Sequence, residues 1–153
     1  MRIVLLKAHE NDRAFFTSAH HLAYRNVVES MFDWDQVEQD KLAESEFDQS
    51  NPHIISYEGK FVGVVGWKVK RDHIWFGPIY VLPEFQCNGI GSSVVKELVS
   101  KSKELCLPLR LRTLRNNTRA KKLYERFGFE VVSESDKHWH MHLNWPLIEH
   151  LGS

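Results

Sequence analysis

Several groups of residues in this chain have types and spacings that could do chemistry. Gln86-Cys87-Asn88-Gly89-Ile90-Gly91-Ser92 follows an apolar run ending at Pro83 and leads into Ile90, Val94, Val95, Leu98 and Val99 at helical spacing. A strand, a glycine turn and a helix start in that order make an anion site. The first-turn N–H groups lack intrahelical partners, and the macrodipole adds partial positive charge. Gly89 and Gly91 would let backbone approach a ligand with no Cβ in the way. Tyr124 lies in a stripe with Ala120, Leu123 and Phe127, which turns its phenol inward, where a hydroxyl needs a partner. A core tyrosine with a satisfied hydroxyl has the same spacing. His138, His140 and His142 alternate and share one strand face. A three-histidine metal site there is geometrically conceivable, but without a further acidic or cysteine partner a half-exposed strand face is the plainer account, and no metal is assigned.

The elements that must position these groups can be read in chain order. Arg2 to Lys7 reads as a short buried strand. Asn11 or Asp12 can cap a helix whose stripe is Phe15, Phe16, Ala19, Leu22, Ala23, Val27 and Met31. Phe32-Asp33-Trp34-Asp35 breaks it, and a more polar helix follows to about Phe47. Ile54 to Tyr57 and Phe61 to Lys70 form a hairpin around Glu58-Gly59-Lys60. A third antiparallel strand ends at Val81 and contains Gly77-Pro78, where proline cannot donate to a ladder, so a bulge or splay is expected. The helix opened by Gly91 runs to about Leu105, and Leu109 to Thr113 is a strand. Asn116-Asn117 can cap the next helix, which Gly128 stops. Phe129 to Ser133 and Trp139 to Leu143 are the last strands. No repeat or linker interrupts the chain, so residues 1–153 read as one domain.

Composition narrows the partners. Net charge is zero over 153 residues, which argues against a nucleic-acid footprint. No stretch could span a bilayer, Ile3 to Leu6 is too short for a signal core, and the two cysteines have no metal or redox spacing. A cytoplasmic protein without membrane partners is the expectation. The charge is segregated: eight acids and one lysine lie between Glu29 and Asp48, and six bases without an acid between Leu105 and Tyr124. These could be two solvated faces, or a basic half suited to a polyanion and an acidic half suited to a cation.

The glycine turn is not a Walker loop, since no Lys follows Gly91, nor a dinucleotide fingerprint, since Val94 occupies the third glycine position. It fits Gln/Arg-x-x-Gly-x-Gly/Ala, the acyl-CoA pyrophosphate loop of the GNAT N-acetyltransferase superfamily. Asn117-Thr118-Arg119-Ala120-Lys121-Lys122-Leu123-Tyr124-Glu125-Arg126-Phe127-Gly128-Phe129 resembles the family's N-x-x-A-x-x-L-Y-x-x-x-G-F segment. The order of elements is also similar across nearly the whole chain.

The resemblance implies a mixed α/β (α+β) fold, with a mostly antiparallel central sheet splayed into a V and helices on both faces. It implies acetyl-CoA as donor, held by backbone groups of Ile79, Tyr80 and Val81, by Gln86, Cys87, Asn88, Gly89, Ile90, Gly91 and Ser92, and by Asn117 and Tyr124. Cys87 needs no thiol chemistry in that role. The Ile79 N–H would face the thioester oxygen, and Tyr124 would be general acid to the leaving thiolate. The implied activity is acetyl transfer to a primary amine of a small cationic metabolite by direct attack. A protein N-terminus or lysine is the alternative acceptor, a non-catalytic acyl-CoA-binding module the alternative class, and a homodimer stays open. Trp34, Asp35, Trp75 and His140 are candidates for the acceptor cleft. The base is unassigned: the strand before the loop offers only Asp72 and His73 at its far start, leaving a water chain or a carboxylate such as Asp33 or Asp35.

Overall fold

The computed structural model describes residues 2–144. By backbone contacts these divide into two compact units, residues 2–67 with 77–93 and residues 68–76 with 94–144. Strands β1 (Ile3–Lys7), β2 (Pro52–Tyr57), β3 (Lys60–Val69), β4 (Ile74–Val81), β5 (Leu109–Leu114), β6 (Glu130–Glu134) and β7 (His138–Leu143) alternate with helices α1 (Arg13–Glu29), α2 (Gln36–Gln49), α3 (Ile90–Leu105) and α4 (Thr118–Arg126). This is the mixed order that the sequence implies.

In the first unit the strand order is β1-β2-β3-β4, with β1–β2 and β2–β3 antiparallel. Phe16, Ala19, Phe47, Ile54, Val64 and Tyr80 form its core. Phe16 is fully buried and meets the Phe47 and Tyr80 rings edge-on at 5.6 and 6.2 Å. Burial of one such ring contributes about 2–3 kcal/mol. Arg13 ties the start of α1 to the end of α2: it bonds Glu10, Glu44 (2.6 Å) and Asp48 (2.7 Å), and its guanidinium lies 4.4 Å from the Phe47 ring centroid.

Three sequence expectations fail in this unit, one of them only in part. β1 is an edge strand that is not buried: Val4 and Leu6 lie on an exposed face, while Ile3 and Leu5 on the other face are half-buried. Asp12 stands at the N-cap position of α1 but its side chain makes no cap bond; its carboxylate accepts from the His9 N–H and closes the 3₁₀ turn Glu10–Asp12. Leu22 points to solvent at 58% exposure, while His20 is completely buried in its place. Residues 20 and 22 differ by two positions and lie on opposite sides of a helix, so the stripe follows Phe16 and Ala19 into His20.

In the second unit the order is β4-β5-β7-β6. β4 and β5 run parallel through two pairs, Ile74 with Leu109 and Trp75 with Arg110. Pairing stops short of Gly77-Pro78, whose peptide is cis. β5–β7 and β7–β6 are antiparallel, and a register shift near Val131 and Ser133 marks the last ladder. Ile74, Phe76, Leu98, Leu109, Leu111 and Met141 are buried in this unit. Asn117 caps α4 as expected, its Oδ1 accepting from the Ala120 N–H at 3.2 Å.

Candidate active site

The glycine turn lies in the first unit. After β4 the chain makes a 3₁₀ turn, Pro83–Phe85, then passes through Cys87 and Gly89 at φ of 65° and 82° before α3 begins. Cys87, Asn88 and Gly89 are exposed and Ile90 is buried, so the turn sits at the surface with its helix anchored below. The Ser93 N–H already bonds the Gly89 carbonyl. The N–H groups of Ile90, Gly91 and Ser92 stand at the head of α3, where a helix lacks internal acceptors. An anionic group fits this arrangement. Gln86 takes a role that its position in the motif does not reveal: its Nε2 donates to the Val81 carbonyl at 2.9 Å, closing the turn onto the end of β4.

Ile79 and Val81 are half-buried on β4 and Tyr80 between them is buried. The Tyr80 side chain is not offered to a ligand; it enters the α1–α2 core, and its hydroxyl donates to both Glu46 oxygens at 2.8 and 3.0 Å. Only the backbone of Tyr80 can serve the role expected of it.

In the second unit Tyr124 is 6% exposed, with its ring 6.1 Å from Phe76 and 5.7 Å from Phe129. Burial raises its phenol far above the ordinary tyrosine range, so the hydroxyl keeps its proton near neutrality. Asn117 is two turns of chain before it as the α4 cap. Trp75 pairs across to Arg110, and His140 lies opposite Arg112. The three-histidine face is thus shared with two arginines, and His142 stands opposite Arg110. Burial first, and Arg112 next, hold His138 at about 4. No group of three potential ligands that could hold a metal occurs among the described residues.

The remaining acceptor candidates fall in the first unit. Asp35 caps α2, accepting from the Glu38 N–H at 3.2 Å, and Asp33 is exposed. Trp34 packs its ring 5.3 Å from His21 and 6.2 Å from His20, with the Arg25 guanidinium 5.1 Å from its own centroid. Around it lies a polar cluster that reading the sequence missed. His20 Nδ1 is 2.8 Å from His21 Nδ1, His21 Nε2 is 2.6 Å from Asp40 Oδ1, and Glu46 lies beyond His20 with Tyr80 bound to it. The one sequence signal was a histidine four residues after Phe16, in a slot where the stripe called for an apolar side chain.

These features define an N-acyltransferase fold: a glycine turn opening α3, a short parallel β4–β5 pair, and a capped α4 carrying a buried tyrosine. The chain belongs to the acetyltransferase (GNAT) family, whose pattern matches residues 13–129. Thialysine N-epsilon-acetyltransferase of Bos taurus is 32% identical over 90 residues, covering 58% of this chain and 51% of the relative. Spermine/spermidine N(1)-acetyltransferase of Bacillus subtilis (strain 168) is 30% identical over 95 residues, covering 56% and 62%. The chain thus spans about half to three fifths of the length of these relatives. Among solved structures, the PaiA N-acetyltransferase of Thermoplasma acidophilum in complex with coenzyme A superposes with a TM-score of 0.78 at 14% identity, covering 95% of this chain and 100% of that one. A domain from Methanocaldococcus jannaschii gives 0.75 at 18% identity, covering 94% and 98%. Both share the fold.

Proposed function

We propose that residues 1–153 act as one acetyltransferase domain that moves an acetyl group from acetyl-CoA to a primary amine of a small cationic molecule. The observation that carries this reading is the glycine turn, which presents the start of α3 at the surface beside the end of β4. The pyrophosphate would lie along Gln86 to Ser92, mainly on main-chain N–H groups other than that of Gln86, which donates to the Pro83 carbonyl at 3.2 Å, and the pantetheine arm along the backbone of Ile79 and Val81. The Ile79 N–H serves as a prefixed dipole for the oxyanion of the tetrahedral intermediate. Tyr124 gives its proton to the leaving thiolate, for which a phenol kept protonated by burial is suited.

The acceptor class follows from the acids of the α1–α2 region. Arg13 engages Glu44 and Asp48, and Arg25 engages Glu29. Of the other acids of that stretch, Asp33 and Glu38 are exposed, Asp35 caps α2, Asp40 is bound by His21 and Gln36 and Glu46 by Tyr80, and their summed negative charge favours a cation. The relatives named for thialysine and for spermine and spermidine are consistent with such an acceptor.

Thiol release from acetyl-CoA, measured across polyamines, amino acids, aminoglycosides and peptides, tests the reading. Acceptor-dependent release with a polyamine or lysine-like amine is expected. Tight acetyl-CoA binding without release for any amine would make the protein a binding module instead.

A further inference from the structure

The cluster joining α1, α2 and β4 has a proton inventory that its heavy atoms constrain. The Asp40 carboxyl is held below its ordinary range, chiefly by His21, so it is a carboxylate and His21 Nε2 carries the hydrogen between them. When His21 carries only that hydrogen, its Nδ1 is a bare acceptor. In that arrangement His20 is the donor of the 2.8 Å contact between the two Nδ1 atoms. His20 Nε2 is left as a lone pair, with no hydrogen-bond partner, on a side chain with 0% exposure. It faces Glu46 Oε1 at 4.0 Å. One added proton on His20 Nε2 resolves this: the Nδ1–H of His20 passes to His21 Nδ1, and His21 becomes an imidazolium bonded at both nitrogens, with Asp40 beside it. The two arrangements differ by one proton and need no movement of His20, His21 or Asp40.

We propose that Glu46 takes the proton of the attacking ammonium and that His20, His21 and Asp40 relay and hold it, supplying the base that the β4 strand lacks. The proposal rests on the acetyltransferase reading above. The relay reaches solvent at both ends, Glu46 at 23% and Asp40 at 51% side-chain exposure, and Glu46 is the end tied to β4. The Tyr80 hydroxyl fixes that carboxylate from β4, next in the chain to Ile79.

The balance is simple. An N–H bond of the ammonium breaks, its electron pair stays on nitrogen for attack on the thioester carbon, and an O–H bond forms on Glu46. The proton then passes to His20 Nε2, directly or through one water, as His20 Nδ1–H passes to His21. It returns by the same path once the amide product has left. Burial, and the His21 ring next, holds His20 down at about 4, and it is His21, not His20, that has the Asp40 carboxylate at 2.6 Å to face a positive charge. Tyr24 and Arg25 of α1, Trp34, Gln36 of α2 and Tyr80 of β4 also face the cluster. Arg25 is paired with Glu29, and Gln36 donates to Asp40 at 2.9 Å.

The test compares wild type, Glu46→Gln and His20→Gln with spermidine and acetyl-CoA, reading kcat/KM against pH beside the acetyl-CoA dissociation constant. At pH 7 Glu46→Gln is expected to lose about 100-fold, and His20→Gln about tenfold, with donor affinity unchanged. Both deficits shrink as pH approaches about 10, where an alkylammonium loses its proton unaided. A deficit constant across pH, or none at pH 7, overturns the relay. Ring-nitrogen NMR of the wild type without ligands gives a second readout: Nδ1–H with bare Nε2 on His20, and the reverse on His21, is expected. The opposite tautomers overturn the proposal. Absence of thiol release from wild type with every amine would instead refute the functional reading, which the tautomer pattern does not depend on.

Discussion

Replacing Gly63 with alanine should damage both the stability and the rate of this protein. Gly63 lies on β3, and a Cβ built there would meet the Tyr80 carbonyl oxygen at 2.3 Å, Val81 Cα at 3.0 Å and the Tyr80 carbonyl carbon at 3.2 Å. Contacts under 3.0 Å are not sustained, so the Tyr80 carbonyl must withdraw by at least about 0.7 Å, the difference between 3.0 and 2.3 Å. The obstructing atoms are main chain and cannot rotate away. Overpacking of this kind costs about 1–3 kcal/mol. The displaced segment carries Ile79, the proposed oxyanion donor, and the Tyr80 ring that fixes Glu46. A shift approaching 1 Å at reacting groups costs on the order of 100-fold in rate. Urea midpoints and kcat of acetyl transfer measure the two effects. Gly59→Ala is the control: no atom lies within 4 Å of its Cβ, so its positive φ costs stability without disturbing β4. A Gly63→Ala protein with wild-type midpoint and kcat, or with no more loss of kcat than Gly59→Ala, would refute the reasoning.

Two further outcomes follow from buried groups. Tyr124→Phe should keep its acetyl-CoA affinity and lose about 100-fold in kcat near neutral pH; an unchanged kcat removes Tyr124 from proton transfer. Because the folded-state value of His20, about 4, lies below its ordinary 6.5, the unfolded chain binds a proton there before the native one does. Stability therefore falls as pH drops through that window, by about 2 kcal/mol from this group between pH 7 and pH 5. Urea unfolding of wild type and His20→Leu at both pH values should show the smaller decline in the variant, with the His138 contribution common to both; equal declines would refute it. The lowered Asp40 carboxyl adds to the loss only further into acid.

What the sequence revealed was mostly local. Asn117 as cap, Gly128 as stop and the Ile90–Leu98 stripe are set by backbone and spacing within a few residues, and each stands where expected. Asp12 takes the N-cap position without the cap bond because two local partners compete for one carboxylate, and the His9 N–H is the one it holds. His20 was not foreseen, for a different reason. Its burial depends on Trp34, Tyr80 and Glu46, which are up to 60 residues away in sequence, and no periodicity encodes that a polar ring will be enclosed. Gln86 was recognised as part of a motif, while its bond to Val81 required knowing where β4 ends.

That bond has a consequence for how tightly a ligand can be held. With Gln86 fastening the turn to Val81 from within, Cys87 through Gly91 are given their shape when the chain folds. The conformational entropy of those five residues is lost then, not on ligand capture, where ordering a free loop would subtract from affinity. For the proposed pyrophosphate the turn would be a preorganised host. A guest should encounter it at a rate set by diffusion and charge rather than by waiting for the loop to assemble.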